Sequence, residues 1–208
     1  GAHFVQGDAR SFSFDQQFNA VLCTSASLNH MRCKADLAEV FASVNHSLEP
    51  GGTFVFDINH PAQLARFWRN QPAAGEIADS YAWLITPRYD ANTAKGAFRV
   101  DMYVQPEGQE PRLASKIVDL LSRIRFLWRL KLRRLARFGA SHPQWEHKSS
   151  DYPIYGHDLN TVMDMLGKAG FDPTLQTLEC SPNVTERDAA FFVCTKTAEI
   201  SRVQEAAE

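Results

Sequence analysis

Two short apolar runs, residues 18–24 (FNAVLCT) and 53–58 (TFVFDI), flank one segment of helical periodicity. This spacing constrains the fold more than any other feature of the chain. Both runs have the length and the β-branched or aromatic content of buried strands. Between them, Leu37, Val40, Phe41, Val44 and Leu48 recur at three- and four-residue steps, which predicts an amphipathic helix over 34–48. Glu49-Pro50-Gly51-Gly52 ends it, with proline and glycine just past the last turn. A strand, a helix and a second strand in this order form a right-handed crossover, with the two strands parallel. The first run is expected to be buried on both faces. Open parallel sheets bind ligands beyond the carboxyl ends of their strands. Asp8, residues 23–27 and residues 57–60 all lie at such ends.

The flanking sequence extends this pattern. Residues 3–6 read as a strand end before Gly7-Asp8-Ala9, and 62–69 as a short helix with Pro61 in its first turn. Residues 81–88 and 97–105 read as an antiparallel ribbon joined through Asp90-Ala91-Asn92-Thr93, with a third ribbon strand within 142–155. Residues 112–138 read as one long helix. A helix over 156–169 precedes strands at 174–178 and 189–195, whose short connection makes them antiparallel neighbours. The expected fold is α/β, a single domain over 1–208 with an insertion at 78–155. Trp83, Tyr103, Trp145, Tyr152 and Tyr155 give that insertion the character of a lid, a dimer surface or ordinary core packing.

Composition narrows the class. Of 208 residues, 44% are hydrophobic and 22% charged, the balance of a globular domain, and no apolar run approaches the roughly 20 residues of a membrane span. A formal charge of −2 argues against a general nucleic-acid binder. Residues 116–137 nevertheless concentrate Lys116, Arg123, Arg125, Arg129, Lys131, Arg133, Arg134 and Arg137 against Asp119 alone. This basic helix reads as a solvated face, as a contact for an anionic membrane surface, or as a site for an anionic acceptor or nucleic acid. Cys23, Cys33, Cys180 and Cys194 form no C-x-x-C or zinc-spaced cluster. They read as reduced, mostly buried thiols of a cytoplasmic protein.

Taken in order, the motifs resemble the class I S-adenosylmethionine-dependent methyltransferases. "VQGDARSF" resembles the acidic loop after that family's third strand, and "FNAVLCTSASLNHM" its fourth strand and following loop. "LEPGGTFVFDIN" resembles the turn and fifth strand, "HDLNTVMDMLGKAGFDP" the helix before the sixth, and "AAFFVCTK" the last, antiparallel strand. The resemblance implies a Rossmann-like sheet of parallel strands plus a C-terminal antiparallel strand, carrying an inserted antiparallel ribbon and basic helix. The family's glycine-rich first motif has no counterpart here. The resemblance therefore implies that the chain starts near the third strand, that about 60–80 residues precede it, and that part of the cofactor pocket lies outside it.

The resemblance also implies roles. Asp8 would accept from the adenine amino group, a carboxylate being an acceptor only, and the Ala9 N–H would donate to the ring, with Arg10 beside them. The plainer reading makes Asp8 a turn aspartate. Cys23, Thr24 and Ser25 would leave room for the sulfonium, although Cys23 also suits the core. Asn29 would contact the acceptor and His30 would deprotonate it, or both are structural. Asp57, Asn59, Tyr152 and Tyr155 would orient the acceptor, or Asn59 or His60 caps the helix at Pro61. The implied function is methyl transfer from S-adenosylmethionine to a small-molecule acceptor, by a chain that could form a homodimer. A non-catalytic remnant serving as a binding or oligomerisation module is the alternative, and a nicotinamide-dependent oxidoreductase a further one.

Overall fold

The computed structural model describes residues 1–106 and 128–198. The chain divides into two compact units, one formed by Gly1–Arg66 with the segment from Tyr155 onward, the other by Phe67–Ile154. In chain order the elements are β1 (Phe18–Cys23), a 3-10 turn (Ser27–His30), α1 (Lys34–Ser47), β2 (Leu48–Ile58) and α2 (Pro61–Phe67). Then come β3 (Ala74–Ile77), β4 (Tyr81–Asp90), β5 (Lys95–Val104), α3 (Trp128–Leu135), α4 (Phe138–Ser141) and β6 (Glu146–Tyr155). The chain continues through α5 (Leu159–Lys168), β7 (Phe171–Gln176) and β8 (Ala190–Lys196).

The first unit holds a four-stranded sheet of order β1-β2-β8-β7. β1 and β2 are parallel, as the crossover through α1 requires, and β8 runs antiparallel between β2 and β7. Leu37, Val40, Phe41 and Val44 of α1 join Phe54 and Phe56 of β2, Phe192 of β8, and Val162 and Leu166 of α5 in one buried core. Phe56 and Phe192 are cross-strand partners whose rings stack at 4.7 Å. Each large side chain so buried contributes on the order of 2 kcal/mol.

The proline-glycine turn does more than end a helix. Hydrogen bonding carries β2 back to Leu48, with a register shift between the Phe18–Leu48 and Ala20–Thr53 pairs. Gly51 has φ 78°, open to glycine at no steric cost. A Cβ on Gly52 would lie 2.9 Å from the Glu49 carbonyl oxygen. The Lys196 ammonium donates to the Asn45 and Leu48 carbonyls at 2.8 and 2.7 Å, capping the end of α1.

The second unit is a sheet of order β3-β4-β5-β6. The β4–β5 ribbon pairs without a break from Tyr81–Val104 to Asp90–Lys95. Its core gathers Ala82, Leu84 and Tyr103 with Leu135 of α3 and Phe138 of α4.

Four expectations are corrected. Residues 3–6 pair with no strand among the described residues, and Phe4 is 95% exposed. β1 is not buried on both faces: it is the end strand of its sheet, and Leu22 is 70% exposed. The helix expected to run to Phe138 ends at Leu135, where Ala136 and Arg137 form a turn before α4; its stretch over 112–127 lies outside the described residues. Only Cys194 is buried, Cys23 being half-buried and Cys33 and Cys180 exposed, because the latter two sit in connections rather than in strands. All four thiols are free.

Candidate functional site

The loop after β1 leaves the strand through two successive residues in the left-handed region, Ser25 at φ 65° and Ala26 at φ 54°. Neither is glycine, and each such residue costs about 1–2 kcal/mol. Contacts from all sides hold the loop there. Asp57 Oδ2, at the end of β2, accepts the Ala26 N–H at 2.9 Å. The Ser27 hydroxyl donates to the Thr24 carbonyl at 2.8 Å. Asn29 is 2% exposed and binds three backbone groups: its Oδ1 accepts the Asn59 N–H, and its Nδ2 donates to the Asn59 and Tyr155 carbonyls. Burial pushes the His157 imidazole below its ordinary value, against the pull of the neighbouring Leu28 and Met31 backbone. Its Nε2 is buried and meets no hydrogen-bond partner among the described residues.

The Gly7-Asp8-Ala9 segment forms a tight turn. Asp8 Oδ1 accepts the Arg10 N–H at 2.9 Å, and the Asp8 carbonyl accepts from Ser11. The Arg10 guanidinium closes on the same carboxylate at 2.7 Å and reaches Asp36 of α1 at 3.2 Å. The Arg10 side-chain hydrogen bond, reinforced by its backbone N–H, holds the Asp8 carboxyl at about 2, well below the usual range. Asp36 is lowered chiefly by the backbone and side chain of Arg32, with Arg10 adding to the effect. This ladder ties the turn to the first turns of α1. The Ser43 hydroxyl, donating to the Arg10 carbonyl at 2.9 Å, adds a second tie.

Turn and loop meet at one cavity of about 480 Å³, whose wall includes Asp8, Ala9, Phe12, Val21, Cys23 and Leu28. Its volume falls within the usual range of small-molecule sites, and its lining is mainly apolar with a carboxylate at one side. Burial, followed by the charge of Asp57, pushes the Cys23 thiol above its ordinary value, so Cys23 is a small neutral wall rather than a nucleophile.

The residues singled out in the sequence are thus distributed as follows. Asp8, Ala9 and Cys23 line the cavity, and Arg10 is the ion-pair partner of Asp8. Thr24 and Ser25 are exposed on the strained loop, and His30 is exposed at the end of the 3-10 turn. Asn29, Asp57 and the backbone of Asn59 and Tyr155 are spent on holding that loop. Tyr152 belongs to the other unit, stacked on Phe98 at 5.1 Å. His60, half of the proposed cap, has its Nε2 3.1 Å from the Thr185 carbonyl. His157 was not singled out. Its signal was its place one residue before Asp158, whose side chain accepts the Thr161 N–H at the start of α5.

Comparisons with known proteins agree on the fold. No family model matches the chain. Over 82 residues it is 37% identical to YqeM of Bacillus subtilis, provisionally named a methyltransferase, covering 38% of this chain and 33% of that protein. An S-adenosylmethionine-dependent methyltransferase from Clostridium acetobutylicum superposes with a TM-score of 0.65 at 12% identity, over 93% of this chain and 64% of that one. The sugar N-methyltransferase KedS8 from Streptoalloteichus gives 0.63 at 15% identity, over 93% and 62%. The chain therefore spans a third of the curated relative and under two thirds of these solved structures. The last strand, inserted antiparallel between β2 and β7, completes the match: the chain has the class I S-adenosylmethionine-dependent methyltransferase fold.

Proposed function

We propose that the protein transfers a methyl group from S-adenosylmethionine to a small-molecule acceptor, with the adenosyl group seated in the cavity between the Asp8 turn and the end of β1. The observation that carries this reading is that Asp8, Ala9 and Cys23, from two separate segments, line one cavity. The residues suit the group. Asp8 is an acceptor for an exocyclic amine, the apolar wall is a surface for a flat base, and Cys23 is small enough to leave space for a methyl-bearing sulfur. The cofactor supplies an already activated methyl group.

The chain's own work is placement. The Arg10 ion pair fixes the Asp8 carboxylate and keeps it ionised over the whole physiological range. Asp57 and Asn29 fix the loop from Thr24 to His30, which would present its exposed side to the acceptor. His30 is the residue on that loop proposed to take a proton from the acceptor. The protein named KedS8 acts on a sugar, which makes a polar small molecule the first acceptor class to try. No helix among the described residues is long and apolar enough to cross a membrane. A cytoplasmic homodimer, with the basic stretch 116–137 meeting an anionic surface, completes the proposal.

Titration calorimetry of the full-length protein with S-adenosylhomocysteine and with NADH tests it. Saturable binding of the first and none of the second is expected. Binding of NADH alone would replace the reading with a nicotinamide enzyme, and binding of neither with a non-catalytic module.

A further inference from the structure

Asp57 closes β2 and is 8% exposed. A buried carboxylate is costly unless its oxygens are bonded. One of them is: Oδ2 accepts the Ala26 N–H at 2.9 Å. The other, Oδ1, is buried and meets no hydrogen-bond donor among the described residues. The parallel register pairs Cys23 with Phe56, so Asp57 lies one residue beyond the partner of Cys23. Cys23 in turn forms part of the cavity wall that Asp8 and Ala9 share. A half-bonded anion thus stands behind the wall at the end of β1. Its field reaches the wall, where it adds to burial in raising the Cys23 thiol. A field that disfavours an anion at this place favours a cation there.

We propose that Asp57 is the specificity-determining counter-charge of the cleft, and that it makes the cleft prefer a sulfonium ligand to the neutral thioether of the same shape. The inference rests on the cofactor reading above. S-Adenosylmethionine and S-adenosylhomocysteine share the adenosyl and amino-acid parts and differ at sulfur, by one methyl group and one positive charge. When the methyl group passes to an acceptor lone pair, the electrons of the broken sulfur–carbon bond stay on sulfur and the charge is lost. The attraction of Asp57 is lost with it, which favours exchange of product for fresh cofactor. Low effective dielectric behind the wall keeps this term from being screened away. Asp57 needs no contact with the ligand for this, and its bond to Ala26 holds the loop in either state.

The test is the ratio of two dissociation constants, measured by calorimetry on the wild type and on Asp57→Asn. Asparagine keeps the size of the side chain and can still accept the Ala26 N–H through its amide oxygen. The expected result is that S-adenosylmethionine binds about tenfold more weakly to the variant, while S-adenosylhomocysteine changes by less than about twofold. Equal changes for both ligands, or none for either, overturn the proposal and leave the cofactor reading standing. A wild type that binds neither ligand overturns the cofactor reading and this proposal with it. A second measurement needs no variant. The wild type should bind an analogue with an ammonium group in place of the methylsulfonium more tightly than S-adenosylhomocysteine, and equal affinity would contradict the counter-charge.

Discussion

The Asn29 side chain and the Asn59 backbone form a closed hydrogen-bonded ring: the Asn59 N–H donates to Asn29 Oδ1 at 2.8 Å, and Asn29 Nδ2 donates back to the Asn59 carbonyl at 2.9 Å. The remaining amide hydrogen goes to the Tyr155 carbonyl at 2.8 Å. One buried side chain thereby ties the 3-10 turn to Asn59, just past β2, and to Tyr155.

Asn29→Ala should destabilise the protein by roughly 2–4 kcal/mol, since three bonds are lost and their half-buried backbone partners are left unpaired. Asn29→Asp should be at least as harmful, because it sets a carboxylate oxygen against two carbonyl oxygens. Urea denaturation of the three proteins checks both statements. An alanine variant within 0.5 kcal/mol of the wild type (about the size of a neutral surface change) would show that the ring carries no weight.

Two adjacent glycines should respond differently to alanine. Gly51→Ala meets open space but a φ of 78°, and should cost about 1 kcal/mol. Gly52→Ala places Cβ 2.9 Å from the Glu49 carbonyl and 3.2 Å from that of Asn19, both backbone atoms that cannot rotate away. Its cost should be larger, about 2–3 kcal/mol. Denaturation midpoints in the opposite order would mean that the turn relaxes around the new methyl group.

Much of this fold was legible because local pattern and tertiary demand agree. The steps of Leu37, Val40, Phe41 and Val44 are the buried face of α1, and the paired strands β4 and β5 meet across the turn the sequence marks. What was not legible depended on partners. β3 is a four-residue strand, Ala-Gly-Glu-Ile, with no alternation to announce it; it exists because β4 offers an edge. Residues 3–6 look like a strand and pair with nothing described. At the candidate site, Asp8 and Cys23 stood out by residue type. The roles of Asn29 and Asp57 as holders of a strained loop depend on hydrogen bonds across 30 and 31 residues of sequence, which no local pattern encodes.

His157 gives a pH signature. It is 8% exposed, and burial outweighs the pull of the neighbouring Leu28 and Met31 backbone, so its folded-state value lies below the ordinary 6.5. The unfolded chain therefore binds more protons than the native state below pH 6.5, and stability falls as the pH drops through that range. Above it the contribution is complete and flat. Urea midpoints at pH 7.5 and pH 5 should differ in the wild type and differ less in His157→Gln. An identical pH dependence in both proteins would remove His157 as the cause.

Asp8 is tested by Asp8→Asn. The amide oxygen can keep the turn, but the Arg10 ion pair is lost and half of the acceptor capacity becomes a donor. The affinity for S-adenosylhomocysteine should fall about tenfold, the size of one good hydrogen bond to a charged group. An unchanged dissociation constant would leave Asp8 with its turn and nothing more.

The most direct measurement of the central claim is photolabelling with an azido-adenine analogue of S-adenosylmethionine, followed by peptide mapping. The account predicts label on the peptides that contain Asp8 to Phe12 and Val21 to Leu28, suppressed by excess S-adenosylhomocysteine. Label confined to other peptides, or unaffected by the competitor, would contradict it.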